Sequence, residues 1–260
     1  MKIIWILAII FIYMVLNRDD KISIGTYNSP VSQLWSMEFA LGKCVGYAAA
    51  AALTAGESKP NFTISQQHAL SAYLYLKAQG TTLANIDTFD VVTTIQGTSF
   101  NDLVTQLAAI NTNLGVLDSN YWSAICGHEG LTATMPKLNT ITYKQLTTHT
   151  KADLLMALKL GFICIVGAEI TSLYDMEFNA NPVTYMTEVY GISLDSVSVY
   201  DSHAFLVIGY DDNEDFIVID SANVAGISGT KRTYRGDFEM NGIVAISPQW
   251  KTDMSISGLA

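Results

Sequence analysis

A chain of 260 residues, half of them apolar and 15% charged, has enough material for one large domain or two lobes sharing a core, which excludes intrinsic disorder. A formal net charge of −10 with no Lys/Arg cluster excludes a general nucleic-acid binder, because phosphate backbones need a basic face. Three widely spaced cysteines (Cys44, Cys126, Cys164) without a CxxC pair, and four histidines without HExxH, exclude a disulfide framework and a cysteine-based structural zinc site.

The chain opens on an unbroken apolar run of 14 residues, Ile3 to Leu16, between Lys2 and Arg18-Asp19-Asp20. As a helix it spans about 21 Å, short of a hydrocarbon core of about 30 Å. Trp5 and Tyr13 can extend the fit at the two interfaces. Residues 1–20 are therefore expected to be an uncleaved membrane anchor, with membrane contact through residues 3–16. A cleaved signal peptide is the rival, but no small-residue cleavage site follows the run, since Leu16-Asn17-Arg18 comes directly after it. A buried strand or packing arm is the third reading. Residues 21–260 make up the folded domain.

Lys21 to Leu34 is irregular, with turn residues at Asn28-Ser29-Pro30. Gly42-Lys43-Cys44-Val45-Gly46-Tyr47 then runs into five alanines, Ala48–Ala52, and predicts a helix ending at Gly56. Apolar on every side, this helix belongs at the centre of the core. A second helix is expected from Ser65 to about Gln79, and a third from Phe100 to Asn113, with Leu103, Leu107 and Ile110 at helical spacing. Lys151 to Leu160 predicts a last helix. Strands are expected at Phe162–Val166, Val197–Tyr200, Ala204–Tyr210, Phe216–Ile219 and Gly242–Ile246, with Asp211–Asp215 as a solvated hairpin loop. Helices first and antiparallel strands after is an α+β order.

Two residues stand where chemistry is possible. Cys44 lies in the first turn of the central helix, where unpaired N–H groups and the positive dipole end favour a thiolate. His203 opens the apolar strand Ala204-Phe205-Leu206-Val207-Ile208, so its imidazole can face the domain surface while the strand holds its backbone. A thiolate mechanism needs such an imidazole as base and then as acid. The next strand returns to Asp220-Ser221-Ala222-Asn223, bringing back a polar group to orient the ring. A buried structural cysteine and a solvated histidine are the plain alternatives. Cys126 and Cys164 read as packing groups, and His68 and His149 as surface residues. Asn61-Phe62-Thr63 has the form of a glycosylation acceptor, meaningful only outside the cytoplasm.

Together these segments resemble the papain/cathepsin family of cysteine peptidases, in the disulfide-poor form of its bacterial and viral members. Gly42–Ala48 is similar to the family's nucleophile helix, Ile64-Ser65-Gln66-Gln67 to its "LSxQ", and His203–Tyr210 to its "HAVxxVGY". Gly97–Phe100 with Gly115-Val116 and Tyr121-Trp122 resembles the stretch before its "YPY" turn. Leu154–Phe162 and Phe216–Ser221 are similar to its closing helix and to the strand ending in "NSW". The resemblance covers residues from about 30 to 248 in order. It implies a papain-like two-lobe α+β fold: a helical lobe over about 30–125, and an antiparallel β-barrel-like lobe over about 126–250, with the cleft between. It also implies hydrolysis of a polypeptide substrate through an acyl-enzyme on Cys44 and His203, with Asp220 as orienting residue and neither metal nor organic cofactor.

The sequence departs from the family at several positions. The oxyanion-hole glutamine becomes Glu38, whose ionised carboxylate would repel an oxyanion that a donor stabilises by about 3 kcal/mol. Burial that protonates Glu38 would restore a donor, and a loop shift would put Gln33 there instead. The orienting asparagine becomes Asp220, with Asn223 as alternative, its shielding tryptophan becomes Ala222, and the tryptophan after the nucleophile becomes Val45. Only 43 residues precede Cys44, so no long inhibitory prodomain is expected. Two alternative functions follow. One is a catalytically impaired papain-fold structural or binding protein, for example a membrane-associated viral particle component. The other is a transferase whose acyl-enzyme is trapped by an amine. Neither cleavage preference nor oligomeric state is readable.

Overall fold

The computed structural model describes residues 44–55, 62–87, 99–169, 202–221, 231–234 and 236–247. Helix α1 spans Cys44–Ala55, and its alanine run is buried on every side, as an all-apolar helix must be. Near its end Thr54 Oγ1 bonds back to Ala50 O at 2.9 Å. Helix α2, Ile64–Ala78, starts at a capping box in which Thr63 and Gln66 satisfy each other's backbone N–H groups. The two helices meet where Gly46 faces α2: a Cβ there would lie 2.6 Å from Ser71 O. Backbone cannot move aside cheaply, so Gly46→Ala should lower stability by about 2 kcal/mol in urea unfolding. An unchanged midpoint would mean that α1 and α2 do not approach so closely.

Helix α3, Phe100–Thr112, is capped by Ser99 and buries Leu103, Leu107 and Ile110, as their spacing predicts. Helix α4, Ser119–His128, is an addition to the sequence reading; Asp118 caps it, and Tyr121, Trp122 and Ile125 are its buried stripe. Helix α5, Lys151–Lys159, opens with a Thr150/Asp153 capping box and buries Leu154, Leu155, Ala157 and Leu158.

The strands are β1 (Tyr143–Gln145), β2 (Ile163–Glu169), β3 (Ser202–Tyr210), β4 (Phe216–Ile219), β5 (Lys231–Tyr234) and β6 (Met240–Ile246). They form a six-stranded sheet in the order β1-β6-β2-β3-β4-β5, antiparallel at every pairing. Between β3 and β4, Asp211 Oδ1 accepts the N–H groups of Asn213 and Asp215 and shapes the expected turn. Both faces of the sheet are covered. Ile163, Ile165, Leu206, Ile208 and Val244 pack with α1–α4, while Cys164, Val166, Phe205, Val207 and Ile243 pack with α5. Double coverage explains why β2 and β3 read as continuous apolar runs rather than alternating ones.

The protein is thus a mixed α+β structure of helices and one antiparallel sheet. Among the described residues the sheet is open, not closed as a barrel-like lobe would require: β1 and β5, of 3 and 4 residues, form its two edges and do not pair. The membrane expectation is corrected. Among the described residues no helix is long and apolar enough to cross a membrane. The longest, α2, has 15 residues, and a helix of that length spans about 22 Å against a core of about 30 Å. The run 3–16, the predicted strand Val197–Tyr200 and Asn61 lie outside the described residues.

Candidate active site

His203 is the second residue of β3 and shares a sheet face with Phe205 and Val207. Antiparallel pairing of β3 with β4 matches Leu206 to Ile219, so Asp220, one residue further on, comes level with the start of β3 and diagonal to His203. The result is a buried contact: His203 Nε2 lies 2.8 Å from Asp220 Oδ1, with His203 8% and Asp220 1% exposed. The other carboxylate oxygen is also engaged. Tyr234, on β5 and 2% exposed, donates its hydroxyl to Asp220 Oδ2 at 2.6 Å. Its ring stands edge-on to Phe205, with centroids 5.2 Å apart.

Cys44, half-buried at the first position of α1, lies close enough to the His203 ring to raise its proton affinity. With Nε2 committed to Asp220, Nδ1 is the nitrogen left to face the sulfur. The imidazole is under opposed influences. Burial lowers its proton affinity, whereas the Asp220 charge, the Asp220 hydrogen bond and Cys44 raise it, for a net rise to about 10. The ring is therefore an imidazolium at neutral pH. Tyr75, fully buried on α2, has its phenol pushed up to about 12 by burial and then by the charge of Cys44.

The protonation of His203 is linked to folding. An unfolded histidine titrates near 6.5, so the stability from its buried charge is fully present below that pH and is lost as pH rises towards about 10. Thermal unfolding midpoints should fall between pH 7 and 9.5 more steeply for the wild type than for His203→Gln. Parallel curves would contradict a charged His203.

The other thiols are different. Cys164 is wholly buried, and Cys126 is half-buried with its sulfur 3.8 Å from Ala133 O; burial raises both above the ordinary thiol value. Both are thus held as unreactive thiols. His68 is half-buried rather than surface-exposed, with Nε2 2.7 Å from the Tyr47 hydroxyl. Among the described residues no group of three or more His, Cys, Asp or Glu side chains could hold a metal ion.

The structure thus brings Cys44, His203 and Asp220 together, from a helix, a strand and the end of the next strand. Glu38, Gln33, Ala222 and Asn223 lie outside the described residues. Sequence reasoning missed Tyr234 and Tyr75. Tyr75 carries only the ordinary apolar signal of a buried helix position, and Tyr234 meets Asp220 only once β4 and β5 are paired. No protein-family model matches the chain, and no curated protein matches it.

Proposed function

We propose that this protein is a papain-like cysteine peptidase, with Cys44 as nucleophile, His203 as general base and acid, and Asp220 as the residue that orients the ring. The observation that carries this reading is the chain of contacts from a half-buried thiol at a helix start, through a buried imidazole, to a buried carboxylate 2.8 Å away. Packing residues have no reason to form such a series: burying a charged pair costs free energy that apolar side chains of similar volume avoid. The reading includes a two-lobed arrangement, with α1–α4 as one lobe, the sheet and α5 as the other, and the substrate between the start of α1 and the start of β3.

The proposed chemistry runs through a thiolate–imidazolium pair. The Cys44 thiolate attacks the scissile carbonyl carbon, and the unpaired N–H groups of the first turn of α1 are donors for the oxyanion. The C–N bond breaks as His203 Nδ1 gives its proton to the departing amine, leaving a thioester on Cys44 and a neutral imidazole. A water then gives a proton to that imidazole as its oxygen attacks the thioester. Collapse releases the acid and restores the thiolate–imidazolium pair.

The test is alkylation of the native protein with iodoacetamide or an epoxide. Selective labelling at Cys44 that is lost in both Cys44→Ala and His203→Ala supports the peptidase. Slow labelling of Cys44 that is unchanged in His203→Ala would instead support a second reading, a papain-fold binding protein without catalysis. The sequence feature favouring that alternative is Glu38, an acidic residue at the position of an oxyanion donor.

A further inference from the structure

A buried carboxylate beside a catalytic histidine is a mixed benefit. It fixes the ring and favours the imidazolium, but by favouring that charged form it also makes the Nδ1 proton harder to pass to the leaving group. A general acid works best when its proton affinity is matched to the operating pH. Asp220 is 1% exposed, so water does little to moderate its charge. The Tyr234 hydroxyl meets that carboxylate at Oδ2, 2.6 Å away, on the side opposite His203. A donor on one oxygen draws electron density from the other and fixes the plane of the carboxylate.

We infer that Tyr234 is a positioning residue of this site: its hydroxyl aims Asp220 at His203 Nε2 and weakens the carboxylate's stabilisation of the imidazolium, so that the Nδ1 proton can be passed on. This inference rests on the peptidase reading for its purpose, though not for its geometry. Tyr234 meets Asp220 and acts through it. Its own placement is fixed by packing, edge-on to Phe205, with Phe238 on another side of that ring at 5.6 Å.

Among the described residues, Asp220 from the end of β4 and Cys44 from α1 act on the His203 ring, and Tyr234 on β5 meets Asp220 at its other oxygen. Strand β2 contributes Ala168 opposite His203, which carries no charge. Comparing the shift in His203 titration on removal of the Tyr234 hydroxyl, with aspartate and with asparagine at position 220, assigns it to the Asp220 path.

The experiment is an NMR titration of the His203 imidazole in the full chain. It compares wild type with Tyr234→Phe, and Asp220→Asn with the Asp220→Asn/Tyr234→Phe double variant. Removing the hydroxyl should move the His203 midpoint upward by about half a pH unit or more when residue 220 is aspartate. The shift should shrink when residue 220 is a neutral amide. A merely structural tyrosine would lower stability without moving the midpoint, or would move it equally in both backgrounds; either result overturns the inference. If Tyr234→Phe does not fold, 4-fluorophenylalanine placed at position 234 keeps the size of the ring and its substituent and removes the donor. It should move the midpoint upward, and no movement would be equally fatal.

Iodoacetamide alkylation of Cys44 is measured alongside. Labelling that does not depend on His203 in the wild type sinks the peptidase reading, while the titration still decides the role of Tyr234.

Discussion

Cys44→Ala is expected to abolish turnover of a fluorogenic peptide substrate, by at least about 10⁴-fold, because the acyl intermediate of the proposed reaction forms on its sulfur. The thiol is half-buried and lies at the end of α1 rather than in its apolar middle, so unfolding curves should barely change. The combination matters: activity gone, fold intact. Residual activity above about 1% of wild type would indicate another nucleophile or a different reaction.

Asp220→Ala is the second change with a large expected effect, and it should act on both activity and stability. It strips the buried imidazolium of its counter-charge and removes the acceptor for the Tyr234 hydroxyl. Breaking a buried pair from one side costs about 3 kcal/mol, readable in urea unfolding. Catalysis should fall by about 10²–10⁴, because the ring loses its orientation and its charged state. Asp220→Asn is the informative partner. Its carbonyl can still accept from Nε2, so the loss should be smaller than with alanine and part of the stability should return. If alanine and asparagine behave alike, the carboxylate is not orienting the ring.

Much of this framework is legible in the residues alone, for local reasons. The alanine run of α1, the Leu103/Leu107/Ile110 spacing of α3 and the caps at Thr63, Ser99 and Thr150 are signals within one turn of the element they specify. Strands β2, β3, β4 and β6 are legible because both sheet faces are covered. The misses are equally physical. In α4, a stripe of three buried residues sits among Ser, Asn and Gly, too thin to show a period. Strands β1 and β5 are short edges, and Lys231-Arg232-Thr233 carries no apolar pattern before Tyr234. The open sheet was missed because closure depends on edge strands that sequence patterns describe worst. The membrane anchor was inferred from hydropathy alone, and no described helix has the length to span a bilayer.

At the site, Cys44, His203 and Asp220 are readable because each stands at an element boundary with an unusual polar group beside an apolar run. Tyr234 is not, because its partner lies 14 residues back and across a strand pairing. Local patterns place groups on elements; only the packed sheet decides which groups touch.

The central position of α1 has a further consequence for how the protein fails. The helix that carries the thiol at one end also supplies the middle of the apolar interior, so it cannot peel away as a separate cooperative unit. Its amides should exchange with deuterium only through the whole-molecule opening, at the slow limit of the protein. Denaturant should then extinguish Cys44 selectivity and dissolve the interior in a single coincident transition, with no inactive but folded state between them.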